Sequence, residues 1–447
     1  MDPRWAASWG SGRAPVPRQR KMDWNRGGEA CFAPRNPGHR RVLLKRTSGP
    51  TAADAVPAAG GAPTVAGADA RPRDLRLDFF RGLGMFIIFI AHLPGNYWTL
   101  WIPARFGFSD ATEIFVFCSG MASSIAFGRV FELHGWRMGT ARVAYRIWQV
   151  YWAHIGLFLV IAAMLVVFNG LELTDRNYIT RLNLQHFFAR PEENLFGLLT
   201  LTYVPNYFDI LPMYLGILTL MPLVVALARI NPGCAGALIA VLWLLANLGI
   251  LALPAEPWSE REWFFNPFAW QLVFFTGFAF IRGWIRPPPI DRRLVAAAIV
   301  VIVVTVPLAY FRIRNQVPEL GALSELLSPF TSKTNFGILR YVHFLAIAYL
   351  AWASAGEAGR RLRGSGPWGR FVTVVRRVGQ QSLAVFVSSL VIAQFMGFML
   401  DTVGPSLATM AAANLTGFAG LVAVAYAVGW FKSEPWRAPP PDRIHRS

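Results

Sequence analysis

The sequence predicts an all-α, polytopic transmembrane helix bundle of about ten spans with both termini cytoplasmic. Three observations carry that prediction. The chain is 54% hydrophobic and 15% charged over 447 residues, with a mean hydropathy of +0.38, too apolar for a water-soluble domain of this length. Its apolar residues gather in runs of roughly 20, the length a helix needs to cross hydrocarbon. Its Lys and Arg residues cluster in alternate connectors, the pattern of a positive-inside topology.

Taken in order, residues 1–73 are rich in Pro, Gly, Ala and Arg and lack an apolar period long enough to fold, so a disordered basic tail is expected. Two origins fit it: an Arg-rich, acid-poor segment like an organelle transit peptide, or a translation start assigned too far upstream. Residues 74–431 form the membrane domain. Its apolar runs lie near 79–101, 111–131, 147–168, 208–227, 235–253, 267–285, 294–311, 336–353, 382–400 and 410–431, and residues 432–447 are a short cytoplasmic tail. The connectors read as cytoplasmic carry Arg129, Arg137, Arg142 and Arg146; then Arg229; then Arg282, Arg286, Arg292 and Arg293; then Arg360 to Arg377. Those between are neutral, mixed or acidic, with Glu172, Asp175, Glu192 and Glu193 in one and Glu256, Glu260 and Glu262 in another. The outer segment 169–207 is long for a connector and is expected to lie in the interface or to cover an outward-facing site.

The net charge of +18 does not point to nucleic acid, because the cations are divided among loops instead of forming one basic face. Three cysteines without CxxC or metal-ligand spacing predict neither a disulfide framework nor a metal site.

Ionisable groups inside spans are costly, and the first span is richest in them. Arg81 and His92 are separated by 11 positions, which returns them to within about 20° of one another on a helix and places them about 16 Å apart along it. Asp78 and Asn96 fall near the same stripe. Such a stripe faces the bundle interior or a watery cavity, where a buried imidazole serves as a general base. A structural pair at the membrane edge (Asp78 with Arg81) and a packing role for His92 are the plainer alternatives.

These residues also resemble a family. Leu77-Asp78-Phe79-Phe80-Arg81-Gly82 followed by His92 is similar to the signature of the family-3 membrane acyltransferases, and Glu113-Ile114-Phe115-Val116-Phe117-Cys118-Ser119-Gly120 resembles their next helix. The closer resemblance is to the OpgC-type branch, carried by His92-Leu93-Pro94-Gly95-Asn96, by Gly107-Phe108-Ser109-Asp110-Ala111-Thr112-Glu113 and by Pro205-Asn206-Tyr207-Phe208-Asp209. Asn266-Pro267-Phe268-Ala269-Trp270-Gln271 and Leu339-Arg340-Tyr341-Val342-His343 continue it, so that it runs from about 73 to about 394. The wider family's late histidine is absent, since the corresponding stretch reads Gln381-Ser382-Leu383-Ala384-Val385-Phe386.

The resemblance implies transfer of an acyl group, succinyl in that branch, from acyl-CoA to a hydroxyl of a periplasmic glucan at a bacterial inner membrane. No tightly bound cofactor is expected; the partners expected are the lipid bilayer, the acyl-CoA donor, the glucan acceptor and proteins of glucan synthesis. His92 is then the catalytic base, oriented by Glu113 or Asp78, with Glu113 favoured because Asp78 lies roughly four turns away on the same helix. Arg81, Arg142 and Arg146 form a donor mouth for phosphates, Arg142 and Arg146 serving equally well as ordinary positive-inside residues. Asn96, Asp110, Asn206 and Asp209 are candidate acceptor contacts. Gln271 and His343 are candidate binding groups or polar joints between helices. Ser119 is either an acyl carrier or a close-packing residue, and Trp98, Trp101 and Tyr207 read as interfacial anchors. A transporter or flippase of a polar or lipid-linked glycan is the rival reading.

Overall fold

The computed structural model describes residues 74–437, and the expected tail 1–73 lies outside the described residues. Among the described residues every regular element is helical, apart from an isolated antiparallel bridge between Pro254 and Glu262. The long helices are α1 (Leu75–His92), α2 (Ala111–Ser123), α3 (Arg129–Gly170), α4 (Ile210–Ile230), α5 (Pro232–Asn247) and α6 (Pro267–Arg282). They are followed by α7 (Arg292–Ala309), α8 (Ile338–Ala355), α9 (Gly366–Gln380), α10 (Ser382–Val403) and α11 (Leu407–Lys432).

Length and composition qualify six helices to cross a membrane: the continuous run Ala111–Gly170 and helices α4, α7, α8, α10 and α11. The run is 60 residues long, about 90 Å of helix against roughly 30 Å of hydrocarbon, so it is not a single crossing. A π-helical turn at Ser124–Gly128 joins α2 to α3, and Gly135, at φ 78° and ψ 176°, breaks the run in a conformation that a side chain would oppose. The other expected spans fall on α1, which carries Arg76, Asp78 and Arg81, and on α5 and α6, of 16 residues each.

Local chemistry starts and stops these helices. Asp74 caps α1 by accepting from the Arg76 amide, and the helix ends at His92, before Pro94 and Gly95. At α2, Asp110 and Glu113 form a reciprocal capping box. Lipid tails are as apolar as Leu, so association inside the bilayer relies on close packing, and α2 and α6 meet backbone to backbone. A Cβ on Gly120 would overlap the Phe274 carbonyl, and one on Gly277 the Phe117 carbonyl. Conversely, α7 turns Val300, Val303 and Val304 outward, each more than half exposed, as a lipid-facing surface does.

The segment between α3 and α4, expected on the outer side, is ordered as short helices Tyr178–Arg181, Gln185–Ala189 and Pro191–Thr200. Asp401, at the end of α10, fastens it by pairing with Arg176 and Arg181, both at 2.8 Å, and accepting from the Tyr178 hydroxyl at 3.3 Å. Phe168 stacks on Phe398 at 4.1 Å beneath this junction.

Candidate active site

The polar groups on α1 fall into two clusters, one at each end, joined by the helix itself. At the N-terminal end Arg81 Nη2 lies 3.4 Å from Ser119 Oγ, its Nε is buried without a hydrogen bond, and Asp78, Cys118, Arg146 and Tyr214 are within electrostatic reach. Asp78 is fully buried and accepts from Gln380 Nε2 at 3.1 Å, which places α9 against α1 at this level. Arg146 is half-buried and donates to Gln149, whereas Arg142 is exposed and lies over the ring of Tyr145 on its own helix. The structure therefore brings Arg81 and Arg146 together and leaves Arg142 apart.

At the C-terminal end, His92 Nδ1 is 2.8 Å from the Ile88 carbonyl. A carbonyl can only accept, so Nδ1 carries the hydrogen and the neutral ring keeps its lone pair on Nε2. No side chain occupies Nε2 among the described residues. The ring meets Tyr207 edge-on at 5.4 Å, and the Tyr207 hydroxyl donates to the Leu390 carbonyl at 2.8 Å. Tyr207 holds φ 85°, a left-handed conformation unfavourable for a bulky residue and characteristic of positions that the surroundings over-determine. It is thus a packing partner of His92, where an interfacial anchor was expected.

The expected pairing of Glu113 with His92 is not what the structure shows. Glu113 is fully buried, with Oε1 accepting from Arg340 Nη1 at 2.8 Å and Oε2 from the Asp110 amide at 2.7 Å. Its capacity is taken by a buried ion pair and a helix cap, while the Ile88 carbonyl already orients His92. Asp110 caps α2 and pairs with Lys333 at 2.6 Å, and both charges are within electrostatic reach of His92. His343 accepts the Ser109 amide at Nδ1 (3.2 Å), so its neutral ring carries hydrogen at Nε2, the tautomer opposite to that of His92. That Nε2 is buried without a partner, close against Gly107.

Two further expectations meet a structural use. Asn96 donates to the Ile90 carbonyl and to Asn414 while its Oδ1 accepts from Asn414 and Trp98, leaving it no free group for a substrate. Gln271 donates to the Ile239 and Phe268 carbonyls and so joins α5 to α6. Asn206 accepts from Arg261 Nη1 at 3.0 Å, and Asp209 Oδ1 is buried without a hydrogen bond. Burial opposes ionisation of Glu256, but hydrogen bonds from Arg261 and Ser259 hold its carboxyl below the ordinary value.

Sequence reasoning missed Lys333, Arg340, Arg261 and the pairing of Tyr207 with His92. It also missed His154, which is fully buried on α3 with neither ring nitrogen hydrogen-bonded. The cost of an ionisable group within an apolar span is the signal that marks Arg340 and His154. Residues 73–433 match the family model described as OpgC protein. No curated protein and no solved structure matches the chain.

Proposed function

The chain belongs to the OpgC protein family, and from that membership and the His92 geometry we propose that it is a membrane O-acyltransferase acting on a periplasmic glucan. The proposed donor is an acyl-CoA, with succinyl-CoA first among the candidates, and the proposed setting is a bacterial inner membrane crossed about ten times with both termini inside. The observation that carries the reading is the tautomer of His92: an imidazole pinned through Nδ1–H at the half-buried end of α1, with a lone pair on Nε2 that no described side chain takes up.

In this reading the acceptor hydroxyl gives its proton to His92 Nε2 as its oxygen bonds to the thioester carbon. The tetrahedral oxyanion then collapses, the carbon–sulfur bond breaks, and the CoA thiolate leaves and takes the proton from the imidazolium. Lys333, held by Asp110, is the cation within electrostatic reach of His92 and is assigned to the oxyanion side of the reaction. Arg81 and Arg146, at the opposite end of α1, suit the phosphates of the donor.

The test is transfer of label from succinyl-CoA and acetyl-CoA to a glucan fraction by membranes carrying the wild-type chain or His92→Ala at matched levels. We expect the variant to lose about 10²- to 10⁴-fold in rate, the range of a positioned general base. Equal rates would remove His92 from the chemistry. Failure of the wild type to label glucan with either donor would remove the acceptor, and glycan transport would become the activity to assay.

A further inference from the structure

Beyond His92, the outer face holds a second concentration of polar groups that the fold itself leaves unsatisfied. Tyr203 Oη, Asp209 Oδ1, Arg261 Nε and Trp263 Nε1 are all buried and all lack hydrogen-bond partners. Orphaned buried groups cost about 1–3 kcal/mol each, so four in one neighbourhood call for an explanation. They are neighbours because two connectors are stitched together: the Val204 amide donates to the Ala255 carbonyl at 2.8 Å and the Ala255 amide to the Arg261 carbonyl at 2.7 Å. Val204, Ala255 and Trp263 pack as a small apolar cluster beneath them. Arg261 binds the Val204 carbonyl, Asn206 and Glu256, and lies within electrostatic reach of Asp209 and Tyr203.

An aromatic rim adjoins these groups. Trp258 is 38% exposed, its ring lies 5.3 Å from that of Tyr203, and His186 stacks on it at 4.7 Å. The combination selects a chemical class. Arg261 is already neutralised by Glu256 at 2.9 Å, so no spare cation awaits a phosphate or carboxylate. What remains is one acceptor, several N–H and O–H donors and flat apolar rings, which suits a neutral saccharide with its hydroxyl groups and C–H faces.

We propose that this cluster is a saccharide subsite in which Asp209, Tyr203 and Arg261 hydrogen-bond hydroxyls of one sugar unit while the Trp258–His186 pair packs against its ring. The proposal rests on the acyltransferase reading and deepens it, because the turn that bears the subsite also touches the base. Tyr207 sits between Asn206 and Asp209, and its strained backbone directs its ring onto His92.

The test uses the full chain in nanodiscs, with short β-linked gluco-oligosaccharides as probe and Asp209→Asn and Trp258→Ala as variants. Trp101→Ala, at a residue 79% exposed in the turn Tyr97–Trp101 and outside the cluster, is the control. We expect the two variants to raise the KM for oligosaccharide about tenfold or more, the loss of one charge-assisted hydrogen bond or ring contact, with the KM for acyl-CoA and the thermal midpoint unchanged. If the wild type acylates oligosaccharide and both variants keep its KM within about twofold, the subsite is overturned and the acyltransferase reading stands. If the wild type binds oligosaccharide through Asp209 without acylating it, the subsite stands and the acyltransferase reading falls. Absence of both binding and transfer overturns both.

Discussion

Removing the Glu113 carboxylate tests the assignment that most changed between sequence and structure. The Glu113–Arg340 pair is closed at 2.8 Å, with side-chain exposures of 0% and 10%. At an effective dielectric near 20, unit charges at that distance attract by about 6 kcal/mol, and desolvating them costs several kcal/mol for each ion. The pair is thus close to neutral as a unit and costly to break from one side. Glu113→Ala leaves a buried guanidinium uncompensated and removes the Glu113 half of the α2 capping box, so we expect a loss of about 3–5 kcal/mol. The double variant Glu113→Leu/Arg340→Met removes both charges and is expected to recover most of that loss. Because membrane proteins commonly unfold irreversibly, the assay is the inactivation half-life of fluorescent-protein fusions in detergent, read by size-exclusion chromatography for wild type, both single variants and the double. A Glu113→Ala protein as long-lived as wild type would refute the reasoning. So would a double variant whose loss equals the sum of the two single losses.

Other perturbations probe separate parts of the fold. Gly120→Val drives a side chain into the Phe274 carbonyl and should cost about 1–3 kcal/mol or more in the same half-life assay. Gly84→Ala places its Cβ 3.5 Å from Ile114 Cγ2, ordinary contact distance, and should leave that half-life unaltered. Gly107→Ala overlaps the His343 ring and should break its bond from the Ser109 amide, seen as faster hydrogen exchange at Ser109; unchanged exchange would show that the ring is not held there. The Glu256–Arg261 clamp has a lowered carboxyl pKa, so its contribution is present above the ordinary 4.5 and is lost as the pH falls beneath it. Exchange protection of the Val204 and Ala255 amides, corrected for the intrinsic rate, should therefore hold near neutrality and drop below roughly pH 4, and protection that is flat with pH would exclude the clamp.

Much of the fold is written locally. The apolar runs marked α4, α7, α8, α10 and α11 because hydrophobic length is a property of contiguous residues. The Arg81–His92 register on one helix followed from periodicity, and α1 is unbroken between them. Pairings between distant segments were not legible. Lys333 meets Asp110 across 223 positions and Arg340 meets Glu113 across 227, and no local period encodes such a meeting. Glu113 is an instructive exception, because Asp110-Ala111-Thr112-Glu113 already has the spacing of a capping box, which assigns one carboxyl oxygen before any tertiary contact is known. Asn96 misled for the opposite reason: a polar residue on the functional stripe turned out to join α1 to α11 through Asn414.

The unbroken helix between Arg81 and His92 also acts as a ruler. If Arg81 grips the donor's phosphates and His92 awaits its thioester, the roughly 16 Å between them sets the span that the flexible arm of the donor has to reach. Thioesters on a shortened arm that retain a phosphate would then be able to occupy one end of the ruler or the other, but not both. An insertion of one helical turn between the two residues would lengthen the scale by about 5.4 Å while keeping the residues close to the same face, separating the requirement for distance from the requirement for chemistry.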